Sequence, residues 1–414
     1  MMFCFKLHHT RKIMNILIIG NGFDLAHKLP TTYTDILKFF KIIRITSTWA
    51  GDKTSFINKH ICNYDASDYI KTYIKDAFST RQRNLNGIAS NSNLLVQEIY
   101  DNLTDNIWYE YLLDVYEKGK MKGINWIDFE SEISSIIEQI DRFQENLSMP
   151  FDIKSSDGNE KLRIFLSKLE FKTIIENKYS YKSHKQTYQD FLDKSYYDLR
   201  RFVRCMEIYL LECVEKQPIN ILSQDIINTN ANYILCFNYT HTYKKLYDNS
   251  NKAEIHYLHG ETQDNIDSNN MVLGINEYYS TSEKDQHTNN NIYKKFTQRV
   301  INETGFLYRK WIAQMDDTTC RLRKHHIFGE NGTELPNNVY IFGHSLDITD
   351  KDIIKDFIDR NGVKTTIFFY NKQQQTQQIA NLIKMLGQDK FINMINSVPQ
   401  RICFVQQQPM IAKT

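Results

Sequence analysis

The sequence predicts an α/β protein with a Rossmann-like, doubly wound and mostly parallel sheet that carries a large helical insertion. Three observations predict it. The apolar run Ile16-Leu17-Ile18-Ile19 passes directly into Gly20-Asn21-Gly22-Phe23-Asp24, the pattern of a buried strand turning tightly into a helix. Five further short β-rich runs gather after residue 230, several of them followed by helical spacing. Between these two regions lies a long stretch whose apolar residues recur at three and four residue steps.

Taken in order, Met14 directly precedes the first strand, so residues 1–13 read as an N-terminal tail with no assigned role. Ile36, Phe40 and Ile43 then mark a helix. In the middle of the chain, Trp126, Phe129, Ile133, Ile136, Ile137 and Ile140 predict one amphipathic helix, with Trp126 and Phe129 as core anchors. Asp128 and Glu130 face other directions, to cap the helix or line a cleft. Leu199, Phe202, Met206, Leu210 and Cys213 predict a second such helix, and the polar stretch at 154–159 a loop. The later runs are Tyr233 to Phe237, Ile255 to Leu258, Met271 to Ile275, Val339 to Phe342 and Thr366 to Tyr370. The expected division is a sheet domain from residues 14–45 plus 230–414, interrupted by a mainly helical insertion at 46–229.

Composition removes several classes of function. Lys plus Arg number 51 against 49 Asp plus Glu, a balance with no overall cationic footprint for nucleic acid or an anionic membrane. Seven scattered cysteines, none in a C-x-x-C pair, predict reduced thiols and no structural zinc. No apolar run approaches the roughly 20 residues of a membrane helix, and the first dozen residues lack a signal-peptide core. The expected setting is the cytoplasm.

In a parallel sheet, ligands sit beyond the carboxyl ends of the strands, so polar residues just after apolar runs carry the most weight. Four such clusters occur: Gly20 to Asp24, Asn238-Tyr239-Thr240, His259-Gly260 and Gly343-His344-Ser345-Leu346-Asp347. The first is not a dehydrogenase fingerprint, because Leu25 stands where a third glycine belongs. Taken singly, His259 reads as a hydrogen-bonded structural histidine and Asn238 as a turn former. Their joint placement at one sheet edge points to chemistry instead. His241 and His344 read as supporting groups, since no H-E-x-x-H or similar spacing joins them into a metal site. The pairs His8-His9 and His325-His326 read as exposed.

GNGFDLAHKLPTTY after the first strand, WIDFE at Trp126 to Glu130, CFNYTHTYKKLY from Cys236 to Tyr247, LHG at Leu258 to Gly260 and IFGHSLDITDKDI from Ile341 to Ile353 resemble the bacterial AbiH abortive-infection family over almost the whole chain. These motifs are in turn similar to the wider sirtuin-like group of NAD-binding proteins. The resemblance implies NAD as substrate, with no metal, and with Asn238 and His259 as the catalytic pair. It further implies nucleotide contacts from Gly20, Asn21, Gly22, Phe23, Asp24, Thr240, Gly260, Gly343, Ser345 and Leu346. Asp24 stands where such enzymes usually have a small hydroxyl residue, and it would repel a pyrophosphate unless it faced ribose or the nicotinamide cation. Lys28 replaces a usual glycine before Leu29-Pro30, which implies either a less free backbone or an extra charge near the phosphates.

The function this implies is anti-phage defence by hydrolysis of NAD to nicotinamide and ADP-ribose. Deacylation is disfavoured, because the four-cysteine zinc module of those enzymes is missing. Two alternatives stay open: a non-catalytic sensor of NAD or an ADP-ribose derivative acting through a partner, and a nuclease-type toxin, against which the charge balance counts. A phage-derived trigger and, by analogy with switched toxins, self-association are the expected partners; a membrane is not expected.

Overall fold

In the computed structural model, which describes residues 14–84, 91–145, 160–168, 184–248, 250–263, 268–275, 291–324 and 336–413, six parallel strands form one sheet. In chain order the strands are β1 (Met14–Ile19), β2 (Ile221–Leu222), β3 (Tyr233–Cys236), β4 (Glu254–Tyr257), β5 (Asn337–Phe342), β6 (Val363–Phe369), β7 (Ile402–Gln406) and β8 (Ile411–Ala412). The sheet runs β4-β3-β1-β5-β6-β7, while β2 and β8 pair separately and antiparallel. With the two small strands set aside, this is the 3-2-1-4-5-6 order of a doubly wound nucleotide fold. The chain builds outward from β1 on one side through β3 and β4, then returns to build outward on the other.

Why the strands read as unbroken apolar runs follows from what covers them. Ile16 and Ile18 enter a core with Leu235, Val339, Ile341, Val363, Ile367 and Ile402, covered by Trp311, Phe357 and Leu382 from three helices. Leu17 and Ile19 point the other way, into a core with Phe23, Ile234, Cys236 and Phe342. A strand buried on both faces has no polar side to alternate.

The intervening helices build a third core. Helix Tyr33–Thr48 starts at a capping box, in which Thr32 Oγ1 accepts from the Asp35 amide at 3.1 Å and Asp35 Oδ2 accepts from the Thr32 amide at 3.2 Å. It buries Ile36, Phe39, Phe40 and Ile43 against the long helix His184–Tyr209, with Phe39 on Tyr209 and Phe40 on Phe202. Helix Phe129–Glu145 adds Phe129, Ile133, Ile136, Ile137 and Ile140 to this core. This core reaches back in the chain to Leu29, and it also takes in Met271, Leu273, Ile275 and Tyr293.

Two expectations fail. Trp126 is 71% exposed, because the helix begins at Phe129 and Trp126 lies before its first turn. Met271 to Ile275 is buried but adds no strand to the sheet; only Ile275 makes an isolated bridge, to Lys294. Its backbone groups bond elsewhere: the Val272 amide to the His259 carbonyl, and both polar groups of Leu273 to the Gln298 side chain. The edge strand β7, half exposed, was not anticipated. The pairs at 8–9 and 325–326 and the loop at 154–159 lie outside the described residues. Among the described residues no helix is long and apolar enough to cross a membrane, six cysteines are free, and no group of three or more His, Cys, Asp or Glu is arranged to hold a metal.

Candidate active site

Register brings the polar clusters to one edge. The Phe237 amide donates to the Ile19 carbonyl and the Leu258 amide to the Cys236 carbonyl, both at 2.9 Å, while the Gly20 amide donates to the Phe342 carbonyl at 3.2 Å. β1, β3, β4 and β5 therefore end at one level. The segments beginning at Gly20, Asn238, His259 and Gly343 leave the sheet side by side, at the carboxyl end where the winding reverses.

On the β5 side of β1 the edge is closed by the chain itself. The Gly22 amide donates to the Gly343 carbonyl at 2.8 Å and the Phe23 amide to the Gly20 carbonyl at 2.8 Å, so three amides of the corner are committed to the protein. Gly343 has φ +70°, and a Cβ there would lie 2.1 Å from the Phe23 nitrogen. Cβ atoms on Gly20 and Gly22 would lie 2.9 Å and 2.8 Å from the backbone of His344 and Gly343. The glycines thus permit two loop backbones to touch, and that contact is the role visible for Gly20, Gly22 and Gly343. Gln378 and Asn381 donate to the carbonyls of His344 and Ser345 and hold the second loop from behind. Phe23 and Leu346 turn their side chains into separate cores, and Asn21 accepts from Thr31 Oγ1 at 2.6 Å. Ser345 is exposed.

On the β3 and β4 side the edge holds buried polar atoms with unmet capacity. Asp24 is 1% exposed; its Oδ2 accepts from Thr240 Oγ1 at 2.6 Å, whereas its Oδ1 makes no well-aligned hydrogen bond among the described residues, with Thr242 and Asn238 standing near enough to favour the carboxylate. Burial pushes this carboxyl up to about 6. Asn238 Nδ2, although beside Asp24, and His259 Nδ1 are buried and likewise lack a well-aligned hydrogen bond among the described residues. Such atoms are uncommon in folded proteins, because leaving a buried donor or acceptor unmet costs about 1–3 kcal/mol. Gly260, at φ +80°, passes so close to Asn270 that a Cβ would sit 2.2 Å from its carbonyl oxygen, which seats the loop after His259.

Behind His259 stands a string of charges. Its Nε2 lies 3.3 Å from Asp350 Oδ1, near but not aligned for a hydrogen bond. The same Oδ1 accepts from Lys295 Nζ at 3.2 Å, and Lys295 also donates to Glu130 Oε2 at 2.7 Å. Asp350 Oδ2 faces His344 Nε2 at 3.6 Å. The Leu346 amide donates to His344 Nδ1 at 2.9 Å, so the neutral ring carries its proton on Nε2, toward Asp350. Phe237 packs edge-on against both histidines. Burial and the Lys295 charge lower His259 to about 4, so its ring is neutral near pH 7. Burial raises Glu130, whereas at Asp350 the attraction of Lys295 and the two histidines outweighs burial and holds the carboxyl well below its usual range.

His241, at the end of the loop that follows β3, is held differently. Its Nδ1 meets Glu215 Oε1 at 2.9 Å and its Nε2 meets Glu261 Oε2 at 2.7 Å, with Lys245 and Thr262 also on Glu215. Although burial opposes it, the two carboxylates raise His241 to about 9, so this ring is an imidazolium that ties the helical layer to the sheet loops. The sequence reading passed over Asp350 and Lys295. Asp350 lies within the quoted segment from Ile341 to Ile353, whereas Lys295 carries no local signal, since its burial is decided by a glutamate 165 residues away.

The family model described as bacteriophage abortive infection AbiH matches residues 16–371. No curated protein and no solved structure matches the chain.

Proposed function

This chain belongs to the AbiH family, which places it in bacteriophage abortive infection, and from that premise we propose that it hydrolyses the bond between nicotinamide and ribose in NAD. The observation that carries the reading is the set of buried, unpartnered polar atoms on Asp24, Asn238 and His259 beyond the ends of β1, β3 and β4. A polar ligand at this edge would meet all three.

The residue types suit the chemistry. Water adds to the anomeric carbon, the bond to the nicotinamide nitrogen breaks, and its electron pair neutralises the pyridinium ring as nicotinamide leaves. The proton released by water passes to His259, whose neutral ring offers the unpartnered Nδ1 as acceptor. Asp350 then stabilises the imidazolium. The Asn238 amide orients a ribose hydroxyl or the water, and the buried Asp24 carboxylate favours the positive charge that develops at the sugar. Thr240 fixes the Asp24 carboxylate through its hydroxyl.

The test is nicotinamide release from NAD by the purified protein. His259→Ala and Asn238→Ala, folded by circular dichroism, should each lose about 100-fold or more in rate. Tight NAD binding without release would support the sensor reading instead. Cleavage of RNA or DNA with no NAD binding would support the nuclease reading.

A further inference from the structure

We propose that Glu130, Lys295 and Asp350 form a positioning string through which the helical layer fixes the His259 ring, so that the site is competent only while that layer is seated on the sheet edge. The proposal deepens the hydrolase reading above and rests on it for its kinetic arm alone.

The string crosses the layers one contact at a time. Glu130 lies in the first turn of helix Phe129–Glu145, whose Phe129 stacks on Tyr33 at 4.2 Å and meets Phe202 edge-on, inside the helical core. Glu130 holds Lys295, Lys295 holds Asp350 Oδ1, and that oxygen stands against His259 Nε2. Lys295 is 3% exposed. A fully buried lysine between two carboxylates is poor economy for stability alone, since apolar residues of equal volume usually serve as well or better. What it does provide is direction. With one oxygen of Asp350 drawn toward Lys295 and the other facing His344, the carboxylate has a fixed plane, and His259 is held with Nε2 toward Asp350, which leaves Nδ1 as the nitrogen without a partner among the described residues.

Asp350, Lys295 and Glu130 are therefore positioning residues, since none of them need touch substrate. Other charged or titratable groups facing the string are Asp128 beside Glu130, Arg299 beside His259, and Tyr33 and Tyr239.

The experiment is imidazole nitrogen NMR of full-length protein, read together with nicotinamide release. In the wild type His259 should show one neutral tautomer, protonated on Nε2. Asp350→Asn, Lys295→Met and Glu130→Gln should each give mixed tautomers at His259, and each should lower kcat about 100-fold with KM little changed. Glu130→Asp, which keeps the charge and shortens its reach, guards against misfolding of the neutral variants and should show the same displaced ring. A folded Glu130→Gln or Glu130→Asp protein with wild-type His259 tautomer would overturn the proposal, even if Asp350→Asn disturbed it. If the wild type released no nicotinamide, the hydrolase reading would fail while the tautomer measurement would still decide the string.

Discussion

The two flanks of β1 end in opposite states. Toward β5, the Gly20–Gly22 corner and the Gly343 loop fill each other's space, and the Gly20, Gly22 and Phe23 amides are paired within the chain. Toward β3 and β4, Asp24, Asn238 and His259 bury polar atoms that make no well-aligned hydrogen bond among the described residues. The comparison teaches that glycines after a strand mark close approach without saying to what. Here they join chain to chain, and the unmet polar groups lie one strand away.

Breaking the closed flank should have the largest effect on stability. Gly343→Ala forces a side chain into the left-handed region and against the Phe23 backbone, and should cost about 3 kcal/mol or more. Urea denaturation would show it, and a change under about 1 kcal/mol would mean that the joint yields.

The latch beside the open flank comes next. His241 titrates near 9 in the folded state against 6.5 ordinarily, so its contribution is complete below 6.5 and fades as pH rises through about 9. The gap between these values corresponds to about 3 kcal/mol. Glu215, lowered to about 2, reports the same contact from its acidic side, where it fades as pH falls from 4.5 toward about 2. Glu215→Gln should remove most of this stability near neutral pH and much less at pH above about 9; equal losses at both would contradict the latch.

The open flank should respond in the opposite sense. Because burial raises Asp24 from 3.8 to about 6, its ionised form is penalised in the fold, and stability falls as pH rises through that window. Asp24→Asn should gain up to about 3 kcal/mol at neutral to alkaline pH and nothing at acidic pH, while nicotinamide release declines. A loss of stability near neutral pH would show that the carboxylate is satisfied in solution. The smallest effect belongs to Lys28, an exposed residue at φ +62°. Lys28→Gly should gain about 0.5 kcal/mol in thermal denaturation, the left-handed strain relieved less the entropy of glycine.

Much of this edge was legible because a parallel sheet fixes where its ligand side lies: residues after Ile19, Cys236, Tyr257 and Phe342 must emerge together once those runs are strands. Local pattern also gave helix Phe129–Glu145, although Trp126 fitted the spacing and fell outside the helix. What stayed hidden depends on distant partners. Lys295 reads as a surface lysine until Glu130 and Asp350 close on it, and Gly343 reads as a ligand contact until Gly22 occupies the space. His241 and His259 look alike in sequence and differ in charge because one stands between two carboxylates and the other, deeply buried, shares a single carboxylate with a lysine.

The central claim is that the polar edge formed by Asp24, Asn238 and His259 receives a nucleotide. Titrating NAD into protein labelled at histidine nitrogens tests it directly: the account predicts that the His259 signals shift in a saturable way, that Asn238→Ala weakens the shift, and that His241 stays nearly still. Saturable NAD binding that leaves His259 unmoved, or no binding at millimolar NAD, would contradict it.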